Sequence, residues 1–170
     1  MRKSVRYLIQ AALIAALYAA LTLQQNALLP GSATWAIQLR AAEAMCILAF
    51  FTPAAIPGLA LGCFLFNLTQ VNLLPTDFVV GSAASALAAL SMWLTRNLRI
   101  RKLPLPGLLM PAIWNGLLIG WELSVYVGGG FWINTAYVAA GEAIVLLTLG
   151  LGLYVALRRR HLDELFSLER

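Results

Sequence analysis

Apolar residues run through this chain in stretches too long and too continuous for a water-soluble core. The first, YLIQAALIAALYAALTLQ (7–24), is eighteen residues without a charge, and comparable runs cover 77–95, 105–124 and 135–157, with shorter ones at 38–52 and 55–70. Runs of this length, at ~1.5 Å per residue, match the hydrocarbon thickness of a bilayer. They are continuous and do not alternate, so they specify helices and not the strands of a barrel. Only 11% of the residues are charged, under half of the ~25% usual in a soluble domain. The expected fold is therefore all-α: one polytopic membrane domain over residues 1–170, a bundle of six transmembrane helices.

The two shorter runs meet at FTPAAIPG (51–58). Pro53 and Pro57 with Gly58 are expected to make a tight turn there, since proline removes a backbone donor and drives the preceding residue out of the helical region.

Charge placement sets the orientation. Eleven of the twelve Lys and Arg residues fall in three clusters: Arg2, Lys3 and Arg6; Arg96, Arg99, Arg101 and Lys102; Arg158, Arg159, Arg160 and Arg170. With six crossings, all three lie on one side, and the connections on the other side contain neither Lys nor Arg. The positive-inside rule makes the basic side, with both termini, cytoplasmic. A basic surface for nucleic acid is not indicated, because the charges mark helix ends. A cleaved signal peptide is disfavoured, since the first apolar run exceeds a usual signal core and its loss would spoil the parity.

Outside the basic flanks and the C-terminal tail, five charged residues remain: Arg40, Glu43, Asp77, Glu122 and Glu142. In this topology all belong to the outer half of the bundle, although four helices supply them. An ionised group in the membrane interior costs a few kcal/mol, so such residues usually face a cavity or a partner. Arg40 could bridge one carboxylate, but one arginine cannot neutralise four acids. Asp77 also reads as a helix N-cap. Around the acids stand Gln38, Asn67, Gln70, Asn72, Asn115, Trp132, Asn134 and Tyr137, with Asn115 and Glu122 seven apart on one helix face and Trp114 and Trp121 on the neighbouring row. Aromatics at this level serve as interfacial anchors or as stacking surfaces for a planar ligand. The pattern describes an outward-facing acidic, aromatic pocket for a small cationic heterocycle with hydrogen-bond donors on one edge. Arg40 reads as the organiser of these carboxylates, with Glu43 left available to the ligand.

Several chemistries are disfavoured. No G-x-x-x-x-G-K-[ST] loop occurs, so no nucleotide cofactor is expected in this chain, and if it moves anything uphill through ATP, another subunit must bind the nucleotide. Cys46 and Cys63 read as packed, reduced residues, and the lone His161 lies in a charged tail, so no metal site is expected. There is no H-E-x-x-H and no Ser/His pair, which argues against an enzyme.

On the first span Ala12, Ala16 and Ala20 form one small-residue row, and Ala11, Ala15 and Ala19 the next. Such rows admit a second helix closely in lipid, either inside the bundle or from a partner protein.

IQLRAAEAMCILAFFTPAAIPGLALGCFLFN (37–67), with its R-x-x-E turn leading into FFTPAAIPG and a Gly-Cys helix, closely resembles the QueT family of membrane proteins. The resemblance continues through TDFVVGSAASALAAL (76–90), NGLLIGWEL (115–123) and FWINTAYVAAGE (131–142). It implies a substrate-binding S component of an energy-coupling factor (ECF) transporter in the bacterial plasma membrane. The implied partners are an EcfT-type transmembrane coupling subunit and two EcfA-type ATPases. The implied cargo is a queuosine precursor, 7-aminomethyl-7-deazaguanine or queuine. The positions it points to are Arg40, Glu43, Asp77, Glu122 and Glu142, with Asn115 and Asn134 as companions, and Ala12, Ala16 and Ala20 for docking. The alternatives are the same scaffold carrying another cationic heterocycle or vitamin, and a stand-alone proton-coupled carrier.

Overall fold

The computed structural model describes residues 3–30, 32, 39–70, 74, 76–101, 103–161 and 166. Arg2, Lys102 and Arg170 of the basic clusters, Gln38, Asn72 and most of the 31–38 connection lie outside the described residues.

The described chain is helical. Helix α1 spans Lys3–Leu28, a 3₁₀ helix Ala41–Phe50, α2 Ala55–Leu68 and α3 Asp77–Leu94. A short α4 (Leu105–Leu108) leads into α5 (Met110–Tyr126), and α6 (Phe131–Val145) passes through a π-helical turn (Leu146–Gly150) into α7 (Leu151–Arg159). Four segments are long and apolar enough to cross a membrane: 3–28, 77–94, 105–126 and 131–159; the helices at 41–50 and 55–68 are shorter. Leucines along α1, such as Leu8, Leu13 and Leu17, are exposed, as expected of a helix whose outer face meets lipid.

Helices α1, α2, α3, α5 and α6 pack in succession, each against the next, and the 3₁₀ helix touches α1, α2, α3, α6, the π turn and α7. It is thus the centre of the bundle, and every residue from Ala42 to Phe50 is buried. Its sequence, AAEAMCILAF, is apolar on all sides but for Glu43, as a surrounded helix must be. At ~2.0 Å per residue, ten residues in 3₁₀ form span ~20 Å, where an α-helix would span ~15 Å. The narrower, longer rod suits a segment confined between extended Arg40 and the turn at Thr52. Period three also stacks Arg40, Glu43, Cys46 and Ala49 on a single edge.

The 51–58 break differs from expectation. Pro57 and Gly58 lie in the first turn of α2, where a missing N–H is harmless, and the turn is made by Phe51–Ala54. Thr52 anchors it, accepting from the Ala54 amide at 3.3 Å and donating its hydroxyl to Gln10 Oε1 at 2.8 Å.

Two helix pairs approach closely through glycines spaced four apart. A Cβ on Gly58 or Gly62 of α2 would come within 2.9 Å of α1, at Ile14 and the Ala11 carbonyl or at Tyr18 and the Ala15 carbonyl. A Cβ on Gly120 of α5 would lie 2.7 Å from the Thr135 backbone of α6, and one on Gly116 3.0 Å from Ala139. These small-xxx-small contacts separate the two alanine rows of α1. Ala15 and Ala19 are buried and Ala11 is half-buried, whereas Ala12, Ala16 and Ala20 are exposed.

Candidate functional site

Beneath the apolar shell the charged residues meet. Arg40 is 5% exposed, Glu43 and Glu122 are fully buried, and Glu142 is 1% exposed. Three elements supply this group: the 3₁₀ helix with the residue leading into it, α5, and α6. Asp77, half-buried, opens α3 beside it.

A first layer forms around Arg40. Its Nη1 stands 3.9 Å from Glu43 Oε1, too far for a direct hydrogen bond. The Tyr18 hydroxyl of α1 joins them: it donates to Glu43 Oε1 and accepts from Arg40 Nη1 at 3.5 Å. Cys46, one 3₁₀ turn on, donates its thiol to Glu43 Oε2 at 3.0 Å. Arg40 Nη1 also lies 3.6 Å from Cys63 Sγ on α2, and its guanidinium stands 5.8 Å from the Phe66 ring centre. Glu43 therefore has both carboxylate oxygens engaged by its own protein, against the expectation that it is left available. The 3₁₀ period is the reason, because it sets Cys46 directly under Glu43. Glu142 of α6 lies within electrostatic reach of Glu43 and Arg40 and beside the Asn115 side chain of α5.

A second layer sits along α5. Glu122 is seven residues from Asn115, two turns or ~10.5 Å along the same face. Thr76, the residue preceding α3, donates its hydroxyl to Glu122 Oε1 at 2.6 Å. It is Thr76, not Asp77, that holds the N-cap position, and its side chain serves the neighbouring helix instead of capping. Asp77 is the first helical residue and lies within electrostatic reach of both Glu122 and Arg40. Asn67 of α2 donates to the Asp77 carbonyl at 3.0 Å, and Gly81 leaves the space for it: a Cβ there would meet Asn67 Nδ2 at 3.0 Å.

Each layer keeps one buried carboxylate oxygen without a hydrogen-bond partner among the described residues, Oε2 of Glu142 and Oε2 of Glu122. Unsatisfied buried oxygens are costly, ~1–3 kcal/mol each and more when charged. The cluster contains one buried cation, Arg40, among the described residues, facing several carboxylates. Chemically it can accept hydrogen bonds and hold positive charge. Among the described residues no group of three or more His, Cys, Asp or Glu is arranged to hold a metal ion.

The family model described as QueT transporter matches residues 8–159. The chain belongs to the QueT transporter family. No curated protein and no solved structure matches it. The match runs from α1 to the end of α7, so every element that builds the two layers lies inside the QueT region. Membership gives this chain a transport role, and its apolar helices make it a multi-pass membrane protein.

The QueT scaffold does not gather every expected residue. Arg40, Glu43, Asn67, Asp77, Asn115, Glu122 and Glu142 converge, but Trp132 and Asn134 stand apart. Trp132 is 73% exposed and its ring packs edge-on against Phe131. Asn134 donates to the Gly128 carbonyl at 3.0 Å and so fastens the α5–α6 turn, in which Gly128 and Gly129 adopt positive φ of 96° and 83°. Tyr18, Cys46 and Thr76 belong to the site although their residue types did not single them out. A signal for Tyr18 is present in the sequence: Gln10, Tyr18 and Thr22 repeat at helical spacing along one face of α1, and all three are buried.

Proposed function

We propose that this chain is the substrate-capture subunit of an ECF-type importer, binding 7-aminomethyl-7-deazaguanine or queuine between the two carboxylate layers. One observation carries the reading. In a QueT-family chain, two fully buried carboxylates each hold one oxygen without a partner, around a single arginine already tied to Glu43. A 7-deazaguanine offers N1–H and 2-amino donors on one edge, and its aminomethyl arm carries a cation. Such a ligand would satisfy the oxygens and balance the charge, whereas an anion would meet the wrong sign at both open oxygens.

In this reading the chain crosses the bilayer six times with both termini cytoplasmic, and the site opens outward. Arg40, Glu43 and Tyr18 set the floor, Asn115 and Glu142 its wall, and Asn67, Asp77 and Glu122 the level above. The exposed row Ala12, Ala16 and Ala20 is the face offered to an EcfT-type subunit, and two EcfA-type ATPases supply the energy. The row Ala11, Ala15 and Ala19 turns inward, with α2 packed against it at Ala11 and Ala15, which supports assigning the docking role to the outward one.

Titration calorimetry of the purified chain with 7-aminomethyl-7-deazaguanine tests the cargo. Saturable one-site binding is expected, with no heat from a purine lacking the 2-amino group. Binding of a vitamin and of no deazapurine would reassign the cargo. Uptake by this chain alone, without ATPase partners, would replace the importer reading with a proton-coupled carrier.

A further inference from the structure

We propose that the two buried carboxylates divide the ligand between them: Glu142 with Asn115 reads its neutral donor edge, and Glu122 with Asp77 holds its ammonium group. This rests on the deazapurine reading above and assigns the ends of the ligand within it.

The geometry calls for a ligand with donors at two ends. The unpartnered oxygens of Glu142 and Glu122 belong to side chains that are at least 99% buried. The Glu142 carboxylate stands beside Asn115 of α5, and Glu122 lies seven residues beyond Asn115 on the same face, ~10.5 Å farther along the helix by backbone rise. A single donor edge cannot serve both oxygens across that interval. A planar head with an aminomethyl arm on its far side can.

Glu122 is also held by one oxygen so that the other is presented. Thr76 donates to Glu122 Oε1 at 2.6 Å, and Asn115 stands beside Glu142. A carboxylate fixed at one oxygen loses little rotamer freedom when its second oxygen is used.

Charge then decides which end goes where. Arg40 stands in the Glu142 layer beside Glu43 and reaches the second layer at Asp77 but not at Glu122, so an ammonium at Glu142 would meet a guanidinium within the same layer. A neutral N–H edge carries no such penalty. Glu122 has Asp77 as its charged neighbour, and the layer contains two carboxylates and a hydroxyl. Coulomb attraction in this poorly screened interior favours placing the full positive charge beside Glu122 and Asp77.

The test pairs two ligands with two variants. 7-Aminomethyl-7-deazaguanine and 7-cyano-7-deazaguanine share the donor edge, but the nitrile carries no charge. With Glu122→Gln the aminomethyl compound should bind at least ~10-fold more weakly, while the cyano compound stays within about twofold of wild type. With Glu142→Gln both should weaken by at least ~10-fold. A Kd reports only on folded molecules, so the ratio of the two Kd values within each variant is read independently of yield. If Gln is not tolerated at 142, Glu142→Asp, which retracts the oxygens and keeps the charge, should weaken both ligands alike. Equal loss of both ligands with Glu122→Gln, or selective loss of the aminomethyl compound with Glu142→Gln, would overturn the assignment. A wild-type chain that binds neither compound removes the deazapurine reading itself, and this assignment with it.

Discussion

Replacing Tyr18 by Phe removes one buried hydroxyl and almost no volume, so its effect isolates a single polar function. That hydroxyl joins Arg40, 3.5 Å away, to Glu43 Oε1, while the direct Arg40–Glu43 approach is 3.9 Å. Without it, Glu43 Oε1 loses its hydrogen bond in a site where the carboxylate is fully buried. A hydrogen bond to a charged group is worth ~1.5–3 kcal/mol, and stranding the buried partner falls in the same range. A loss of ~2 kcal/mol is therefore expected. At ~2–4 °C per kcal/mol for a chain of this size, Tm should fall by ~4–8 °C. Cys46 and Cys63 are both buried and unpaired by a disulfide. A thiol-reactive fluorogenic dye therefore reports unfolding of the detergent-solubilised protein directly. Ligand affinity should change less than stability, because the hydroxyl faces the Arg40–Glu43 pair and neither unpartnered oxygen belongs to Glu43. The same substitution made in a Glu43→Gln background should cost clearly less than alone, since the two groups act through one bond. A Tm within about 1 °C of wild type would refute the claim that Tyr18 is the link. Full additivity of the two substitutions would refute it as well.

Gly120→Ala should destabilise by ~1–3 kcal/mol in the same dye assay, because the new Cβ meets the Thr135 backbone at 2.7 Å and the helices must part. Gly152→Ala, with nothing within 4 Å of its Cβ, is the control and should be neutral or stabilising by up to ~1 kcal/mol. Ala16→Trp should leave deazapurine binding intact, since Ala16 is exposed on α1, while abolishing uptake with the coupling subunits. Loss of binding in that variant would show that the face packs within the bundle.

The lengths and continuity of the apolar runs are enough to read a helical membrane bundle from the sequence, because backbone polar groups in lipid have no other way to be satisfied. The same physics makes the five interior charges conspicuous, and the helix-face rule already places Asn115 and Glu122 together. Local residue type does not reveal which partner each charge takes. Glu43 reads as available until the 3₁₀ period sets Cys46 beneath it and α1 brings Tyr18 across from 25 positions away. Trp132 and Asn134 carry plausible binding chemistry, yet the α5–α6 turn leaves one exposed and employs the other as its own fastening.

The two alanine rows of α1 put the division most plainly. Sequence alone determines that both are smooth enough for a close helix approach, for alanine side chains define the surface. It cannot say which row is already covered. Only the packing of Gly58 and Gly62 of α2 against Ala11, Ile14, Ala15 and Tyr18 assigns one row to the interior and leaves Ala12, Ala16 and Ala20 outside. The physical reason holds for the whole site. Composition and periodicity act within one segment, whereas a side chain's partner depends on contacts between segments far apart in the chain.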